Sequence, residues 1–431
     1  MQFYSLNRQA DSVSFKEAVV RGLAPDKGLY FPEKWAPLPA GFLKEMEQMS
    51  NQDIALELIR QFAIDDIPEQ ALKTIIAETL TFDFPLVEID QQVATLELFH
   101  GPTMAFKDVG ARFMARCLGY FNQQEQNSKV TVLVATSGDT GGAVASGFLG
   151  VEGVEVVILY PRGKVSEVQE KQLTTLGQNI TALEVDGTFD DCQRMVKTAF
   201  LDKDLTSAKN LSSANSINVA RWLPQMFYFF FAYQQVADKE ADLVFSVPSG
   251  NFGNICAGMM AAQLGLPVKQ FIAATNSNDV VPNYLQTGKY QPRPSKQTIS
   301  NAMDVGDPSN FIRIQEIYGH SDERLKQHLS SVAFTDKETR EAMKILYRNN
   351  GYIADPHGAV GYLGLQQYLA DKPAAQGIFL ETAHPVKFLD VVSPVLEQTI
   401  ALPPQIAAIM HKEKKAIGIA DYEALKAYLL A

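Results

Sequence analysis

A single lysine, Lys107, stands among turn-forming and apolar residues in the segment LELFHGPTMAFKDVG, residues 96–110. The Gly-Pro pair predicts a turn after the strand-like LELF, and the apolar spacing from Phe106 onward predicts a helix that begins near the lysine. Apolar neighbours partly desolvate an amine, which lowers its pKa and favours the neutral form that attacks a carbonyl carbon. The pattern indicates a Schiff-base lysine; the alternative is a surface lysine paired with Asp108.

Two glycine-rich turns follow predicted strands. TSGDTGG, residues 136–142, comes after VTVLVA, and PSGNFGN, residues 248–254, comes after DLVFSV. The glycines allow the backbone to approach a ligand closely, and the free N–H groups at the start of a following helix form an anion site. Neither turn matches a P-loop or GxGxxG. We expect both turns to face ligands, against the alternative that they are purely structural.

Two further segments carry suitable side chains. Thr382 and His384 follow the strand-like GIFLET, and NSINVAR, residues 215–221, offers amides, a hydroxyl and a guanidinium. Arg221 is suited to hold a phosphate by forked hydrogen bonds; alternatively, it satisfies a surface carboxylate. One amine, two anion-binding turns, a hydroxyl for a heteroaromatic nitrogen and an arginine suit a phosphorylated aldehyde cofactor with an anionic substrate.

The elements that must position these groups form an α/β pattern. Near-continuous apolar runs predict strands that are covered on both faces of a largely parallel sheet, with helices between them. In open parallel sheets, ligands lie beyond the carboxyl ends of the strands. The predicted strands are VTVLVA (130–135), VEVVIL (154–159), ITALEV (180–185), DLVFSV (242–247), QFIAAT (270–275) and GIFLET (377–382). The predicted helices between them are 141–148, 166–176, 189–200, 219–235 and 255–264.

The chain divides by pattern into three parts. Residues 1–95 predict a mainly helical N-terminal domain, with a capping box at Ser14 and Glu17 and a further helix that begins after Ser50. Residues 96–394 form the α/β region that carries the candidate site, and residues 395–431 predict a helical extension. Within the α/β region, residues 288–313 are rich in Pro, Ser and Gln and predict a mobile surface loop.

Composition excludes several classes of protein. The chain has 431 residues, of which 46% are hydrophobic and 20% charged, so we expect a folded globular protein of two or three domains. A net charge of −11 disfavours a nucleic-acid partner. The three cysteines are widely separated and lack metal-like spacing with the six histidines, so we expect no metal site, no disulfide framework and a cytoplasmic location. No signal-peptide pattern and no run of about 18 apolar residues occurs, which disfavours secretion and membrane spanning.

Five segments, ELFHGPTMAFKD, LVATSGDTGGA, SVPSGNFGN, NSINVAR and ETAHPVKF, follow one another in this order, after an N-terminal GLAPDKGLYFP. Together they closely resemble the threonine synthase family of pyridoxal-phosphate enzymes, which has the tryptophan-synthase-β type of fold. The resemblance implies a fold-type II α/β architecture with two parallel-sheet-based subdomains and a mainly helical N-terminal domain.

The resemblance also implies which residues hold the cofactor. Lys107 is expected to form the Schiff base with pyridoxal phosphate, and Thr382 to hydrogen-bond the pyridine nitrogen and leave it largely unprotonated. Asp139 stands where many relatives with this fold carry asparagine near the ring's 3-oxygen, so its contact with the cofactor is left open. The residues expected to bind the cofactor's phosphate are Gly250, Asn251, Phe252, Gly253 and Asn254.

For the substrate, the resemblance implies that Ser137 and Thr140 bind a carboxylate and that Asn215, Ser216 and Arg221 bind a phosphate. The implied reaction converts O-phospho-L-homoserine and water into L-threonine and phosphate, in a monomer or homodimer. The alternatives are a serine/threonine dehydratase or cysteine synthase type of enzyme, which lacks NSINVAR and the N-terminal segment, and a non-catalytic homologue that binds phosphorylated metabolites.

Three histidines lie in or next to these segments. His100 and His384 flank the predicted site and suit either acid-base catalysis or a structural hydrogen bond. His357, in ADPHGAVGY, begins a predicted helix and is interpreted as a supporting residue.

Overall fold

The computed structural model describes residues 1–125 and 129–431. The strands, in chain order, are β1 (Gln2–Ser5), β2 (Val13–Ser14), β3 (Tyr30–Pro32), β4 (Leu86–Glu88), β5 (Val93–Glu97), β6 (Val130–Ala135), β7 (Val154–Pro161), β8 (Ile180–Val185), β9 (Asn210–Ser213), β10 (Asp242–Pro248), β11 (Gln270–Thr275), β12 (Leu329–Ala333), β13 (Ala375–Glu381) and β14 (Ile417–Ile419).

The α-helices are α1 (Phe15–Arg21), α2 (Phe42–Glu45), α3 (Asn51–Ala63), α4 (Glu69–Thr79), α5 (Lys107–Gln124), α6 (Asp139–Phe148), α7 (Glu167–Thr174), α8 (Phe189–Ala199), α9 (Lys203–Ala208), α10 (Val219–Trp222), α11 (Met226–Gln235), α12 (Gly253–Gln263), α13 (Val280–Thr287), α14 (Phe311–Ile317), α15 (Asp322–His328), α16 (Asp336–Asn350), α17 (Pro356–Leu369), α18 (Leu389–Leu396), α19 (Pro404–Met410) and α20 (Tyr422–Leu430). Short 3-10 helices occupy Met46–Gln48, Leu223–Gln225, Asn301–Met303 and Pro385–Phe388.

Two parallel sheets form the framework. One has six strands in the order β12-β11-β10-β13-β5-β4, and the other has five in the order β14-β8-β7-β6-β9. Every neighbouring pair in these sheets is parallel except β4 with β5. Their central strands are buried along nearly their whole length, as their near-continuous apolar runs require. The predicted architecture of two parallel-sheet subdomains is confirmed.

The six predicted strands are all present, and their bounds differ by at most two residues from those expected. The single helix predicted over 219–235 is divided into α10 and α11 by the 3-10 turn Leu223–Gln225, where Pro224 lacks the N–H group that a continuous helix needs. The sequence reading missed β9, β12 and β14, three short strands. All three lie at sheet edges, where one side of the strand is open and the alternation of apolar and polar residues is weak.

The N-terminal region is helical as expected, but it also contains an antiparallel sheet in the order β2-β1-β3. The predicted capping box is present, since Ser14 Oγ accepts a hydrogen bond from the Glu17 N–H at 3.2 Å. The predicted division at residue 95 falls inside β5 of the six-stranded sheet, and the predicted 395–431 extension adds β14 to the five-stranded sheet. The three-part division stays a prediction.

The surface loop predicted for residues 288–313 is wrong in its second half. Ser300 and Arg313 are buried, and the 3-10 turn Asn301–Met303 and the start of α14 lie within this segment. Polar side chains can be buried in this segment because they form hydrogen bonds with one another. The carboxylate of Asp304, for example, accepts hydrogen bonds from Asn276 Nδ2 at 2.9 Å and from Thr298 Oγ1 at 2.7 Å.

The described residues include no helix long and apolar enough to cross a membrane. Within the same residues, no group of His, Cys, Asp and Glu side chains is placed to hold a metal ion. Cys117, Cys192 and Cys256 are buried free thiols.

Candidate active site

The segments that follow β6, β10 and β13 line one cavity of about 800 Å³. The helix start at Lys107 and the segment before α10 complete its wall. The cavity therefore lies at the carboxyl ends of parallel strands from both sheets, as expected. It brings together these predicted site residues: Lys107, Ser137, Thr140, Asn215, Ser216, Arg221, Gly250, Asn251, Phe252, Gly253, Asn254 and Thr382.

Lys107 is the first residue of α5, and the turn before it is fixed against the strand end that carries Thr382. The Phe106 N–H donates to the Thr382 carbonyl at 2.8 Å, and the His384 N–H donates to the Met104 carbonyl at 3.0 Å. These two bonds hold the turn antiparallel to the end of β13. The lysine and the Thr382 hydroxyl thereby reach the same cavity.

The amine of Lys107 is partly open to the cavity but otherwise surrounded by protein. Burial lowers its pKa to about 8; the negative charge of Asp139 opposes this shift, and the positive charges of Arg221 and Lys387 add to it. Asp108 is not its partner, because that buried carboxylate accepts the Thr103 N–H at 2.9 Å. The interpretation of Lys107 as a surface lysine paired with Asp108 does not hold.

The turn at residues 248–254 is built to bind an anion. Phe252 adopts a left-handed conformation with φ of 60°, and α12 begins at the next residue. The N–H groups of Gly253 and Asn254, the first two of α12, have no acceptor within the helix and are available to a ligand, whereas that of Ile255 donates to Asn254 Oδ1 at 2.9 Å. Gly250 is required, because a Cβ there would lie 2.7 Å from the Cα of Met303. Asn254 Nδ2 fixes the turn by donating to the Pro248 carbonyl at 2.9 Å.

The turn after β6 presents hydroxyl groups. Thr136 Oγ1 accepts the N–H groups of Gly138 at 2.9 Å and Gly141 at 2.8 Å, which shapes the backbone into the start of α6. Ser137 and Thr140, on either side of the helix start, are partly exposed on the cavity wall. Their hydroxyls and the helix N-terminus together suit a carboxylate.

Asp139 is the one predicted site residue that does not line the cavity. Its buried carboxylate pairs with Lys387 Nζ at 2.8 Å and accepts Gln169 Nε2 at 3.0 Å. Burial alone would raise the pKa of Asp139, but the charges of Lys387 and Lys107 outweigh burial and hold the pKa well below its usual range. The sequence analysis gave Lys387 no role, although it stands within ETAHPVKF.

Arg221 is a buried cation on the cavity wall. Among the described residues it forms no ion pair; its Nη1 donates to the Ala214 carbonyl, and its Nε has no partner. Burial lowers its pKa to about 10, so it remains charged at neutral pH. A buried charge without a counter-ion is costly, and an anionic ligand would relieve that cost.

A second buried arginine, which the sequence analysis missed, joins the parts of the site. Arg313 Nη2 donates to the carbonyls of Tyr30 at 2.8 Å and Ile217 at 2.7 Å, and its Nη1 donates to Asn310 Oδ1 at 2.7 Å. Asn310 Nδ2 in turn donates to the Asn251 carbonyl at 3.2 Å. The N-terminal region, the 215–221 segment and the 248–254 turn are thus tied to one guanidinium.

The histidines divide into two groups. His100 and His384 do not line the cavity, and burial lowers the pKa of His384 to about 4, so this imidazole is neutral. His357 lies on the cavity wall but is fully engaged: its Nδ1 bonds to Asp355 and its Nε2 accepts the Ala302 N–H at 3.2 Å. This supports the interpretation of His357 as a residue that holds the wall in shape.

The fold and the site together define a class of protein. Two parallel-sheet subdomains enclose a lysine with a lowered pKa, an anion-binding turn and a hydroxyl at a strand end. The family described as "Pyridoxal-phosphate dependent enzyme" matches residues 84–378, which is more than half of the chain. The chain is therefore an enzyme of this class.

Further comparisons identify the family within this class. The families described as "Threonine synthase N terminus" and "Threonine synthase, C-terminal" match residues 2–80 and 358–429. Threonine synthase of Escherichia coli K12 is 44% identical over 411 residues, which cover 94% of each chain. The chain belongs to the threonine synthase family.

Comparison with solved structures also finds threonine synthases. The crystal structure of threonine synthase from Escherichia coli matches with a TM-score of 0.94 and 42% identity, covering 100% of this chain and 99% of that one. The pyridoxal-phosphate-bound threonine synthase from Brucella melitensis matches with a TM-score of 0.92 and 34% identity, again covering 100% and 99%.

The residues of the cavity fit pyridoxal phosphate, the cofactor of this class. The open approach at Gly250 and the free N–H groups of α12 suit its phosphate. Lys107 supplies an amine that is partly neutral at physiological pH. Thr382 supplies a hydroxyl to the same cavity, without a charge that would conflict with a neutral ring nitrogen.

Proposed function

We propose that this chain converts O-phospho-L-homoserine and water into L-threonine and phosphate, the last step of threonine biosynthesis. The observation that carries the proposal is Arg221, a buried cation without an ion-pair partner among the described residues, on the same cavity wall as Lys107. A phosphorylated amino acid would bring an anion to each end of such a cavity. Membership of the threonine synthase family supports the same substrate.

Lys107 would both hold the cofactor and move protons. Bound pyridoxal phosphate supplies an electron sink that stabilises negative charge on the carbon atoms of the substrate. With the cofactor bound, the Lys107 amine would take the proton from Cα of the substrate. A pKa of about 8 suits this work, because an effective general base has a pKa near the working pH.

The other wall residues would orient the substrate. Ser137 and Thr140 bind its carboxylate at the start of α6, while Asn215, Ser216 and Arg221 bind its phosphate. Arg221 also stabilises the charge that develops as the Cγ–O bond breaks and phosphate leaves. A second proton would leave Cβ before phosphate departs. A proton would then return to Cγ, water would add at Cβ with loss of its own proton to give the hydroxyl of threonine, and Lys107 would return a proton to Cα.

The cofactor contacts complete the proposed site. The backbone of Gly250, Asn251, Phe252, Gly253 and Asn254 would hold the cofactor's phosphate, and the neutral Thr382 hydroxyl would face the pyridine nitrogen. We place the chain in the cytoplasm, as a monomer or homodimer, with a small-molecule substrate as its partner. Its three buried free thiols accord with a reducing compartment.

Phosphate release from O-phospho-L-homoserine tests the proposal, with serine and O-acetylserine as comparison substrates. We expect the full chain, loaded with pyridoxal phosphate, to release phosphate and form threonine in equal amounts. Turnover of either comparison substrate without phosphate release from O-phospho-L-homoserine would instead indicate a dehydratase or cysteine synthase type of enzyme.

A variant pair tests the lysine. Lys107→Ala should lose both phosphate release and the visible absorbance of the bound cofactor. Lys372→Met, which removes an exposed lysine paired with Asp371 at 2.7 Å, should keep both. A Lys107→Ala protein that retains the visible absorbance would refute the proposed role.

A further inference from the structure

Lys387 is completely buried, and its ammonium group joins two parts of the site. It lies in the 3-10 turn Pro385–Phe388 that follows Thr382. Its Nζ donates to the Thr103 carbonyl at 2.9 Å, within the turn that leads to Lys107, and pairs with Asp139 Oδ1 at 2.8 Å. One ammonium group therefore connects the lysine turn to the start of α6.

A buried ion pair needs an explanation, because removing two charges from water costs about as much as their attraction returns. Neutral side chains already donate to the same two acceptors. Gln172 Nε2 donates to the Thr103 carbonyl at 3.0 Å, and Gln169 Nε2 donates to the Asp139 carboxylate at 3.0 Å. The Thr103 carbonyl and the Asp139 carboxylate therefore do not need a charged donor to satisfy their hydrogen bonds. The two charges act on the Lys107 amine with opposite signs: Asp139 raises its pKa and Lys387 lowers it.

We propose that Lys387 is a positioning residue: it holds the Asp139 carboxylate in place at the start of α6, and the opposed charges of Lys387 and Asp139 together set the pH at which the Lys107 amine loses its proton. Lys387 fixes Asp139 and its charge opposes that of Asp139, but it is assigned no contact with substrate. The inference rests on the proposed role of Lys107, but it does not depend on which substrate the enzyme uses.

The charged groups around Lys107 determine the direction in which each substitution should shift the pKa of its amine. Asp139 of α6 raises the pKa of Lys107, whereas Lys387 and Arg221 of α10 lower it in addition to burial. On the remaining sides, Asp108 is bound to Thr103, and the Tyr228 hydroxyl of α11 donates to the Phe106 carbonyl. Arg221, Asp108 and Tyr228 stay constant in the variants below.

The test is a double-mutant cycle on the two charged residues Lys387 and Asp139, called the charge cycle below. It uses the full-length chain freed of cofactor. The rate at which it captures added pyridoxal phosphate is followed by visible absorbance from pH 6 to 10; this rate depends on the neutral fraction of the Lys107 amine. Relative to the unsubstituted chain, Lys387→Met should raise the pH midpoint and Asp139→Asn should lower it, each by about one unit. The double variant should return the midpoint close to its original value.

Two further variants separate charge from structure. Lys387→Arg keeps the charge and should leave the midpoint nearly unchanged, and so should the surface variant Lys372→Met. A Lys387→Met midpoint that is unmoved or lowered would overturn the proposal, as would a double variant that stays displaced. If Lys387→Met does not fold, Asp139→Asn and the double variant decide by the same criteria.

The outcomes also separate this inference from the proposed function. Visible absorbance that persists in Lys107→Ala overturns both. A normal Lys107 result with no charge cycle overturns only the role of Lys387. A charge cycle in an enzyme that releases no phosphate from O-phospho-L-homoserine supports Lys387 and overturns only the substrate.

Discussion

The side chain of Asn251 donates from Nδ2 to Ser216 Oγ at 2.8 Å. This bond joins the turn proposed for the cofactor's phosphate to the segment proposed for the substrate's phosphate. The Oδ1 atom of Asn251 accepts the Ser309 N–H at 2.6 Å, so the same side chain also fixes the segment before α14. We expect the two phosphate sites to be coupled through it.

Ser216→Ala tests this coupling. The substitution removes the acceptor for Asn251 and a donor proposed for the substrate, so KM for O-phospho-L-homoserine should rise about 2- to 10-fold, the effect of one hydrogen bond. The dissociation constant of pyridoxal phosphate should rise as well, by a smaller factor. Ser207→Ala, on the exposed surface of α9, serves as the control. An unchanged KM would contradict the assignment of Ser216.

Arg221→Gln should damage substrate binding far more than cofactor binding. Loss of a charged hydrogen bond to phosphate costs about 1.5–3 kcal/mol, which corresponds to a fall of roughly 10- to 150-fold in kcat/KM for O-phospho-L-homoserine. The visible absorbance of the bound cofactor should remain. Steady-state phosphate release measures the first effect and a cofactor titration the second. Arg340→Gln, which removes an exposed arginine 3.9 Å from Asp336, should change neither.

Gly250→Ala should weaken cofactor binding. The added Cβ would lie 2.7 Å from the Met303 Cα and 2.8 Å from the Ala302 carbonyl oxygen, and both are backbone atoms that cannot turn away. Overpacking of this kind costs about 1–3 kcal/mol, or roughly 5- to 150-fold in the dissociation constant of pyridoxal phosphate. Gly119→Ala on α5 is the matched control, since its nearest contact is a side-chain methyl of Val151 at 3.3 Å. Equal cofactor affinities for the two variants would contradict the close approach at Gly250.

His384→Asn should make the protein less sensitive to acid. Burial holds the pKa of His384 at about 4, below its ordinary 6.5, so the unfolded chain binds a proton at a higher pH than the folded one. Stability contributed by the neutral imidazole is therefore present above pH 6.5 and is lost as the pH falls toward 4, by about 2 kcal/mol at pH 5.

The measurement is the fall in the thermal unfolding midpoint between pH 7 and pH 5. Asparagine can still accept the Val386 N–H that His384 Nδ1 accepts at 3.1 Å, so the fold should survive and the fall should shrink. His320→Asn, at an exposed position, should leave most of the fall in place. A fall that is equal in the two variants would show that His384 does not cause it.

The framework of this protein and the type of its site follow from local patterns in the chain. Near-continuous apolar runs predict buried parallel strands, because such strands need apolar side chains on both faces. The glycine turns at residues 136–142 and 248–254 are likewise local signals, since close backbone approach and free helix N–H groups depend on a few adjacent residues. Lys107 stood out for the same reason, by its apolar neighbours in the chain.

The pairing of distant residues, in contrast, arises from the way the chain folds in three dimensions. The ion pair of Asp139 with Lys387, the three bonds of Arg313 and the buried segment after residue 300 all join parts of the chain that no local pattern connects. A lysine or arginine reads as a surface residue in sequence, because its burial is tolerable only when polar partners from elsewhere in the fold surround it. The charges that act on Lys107 therefore had to be found in three dimensions.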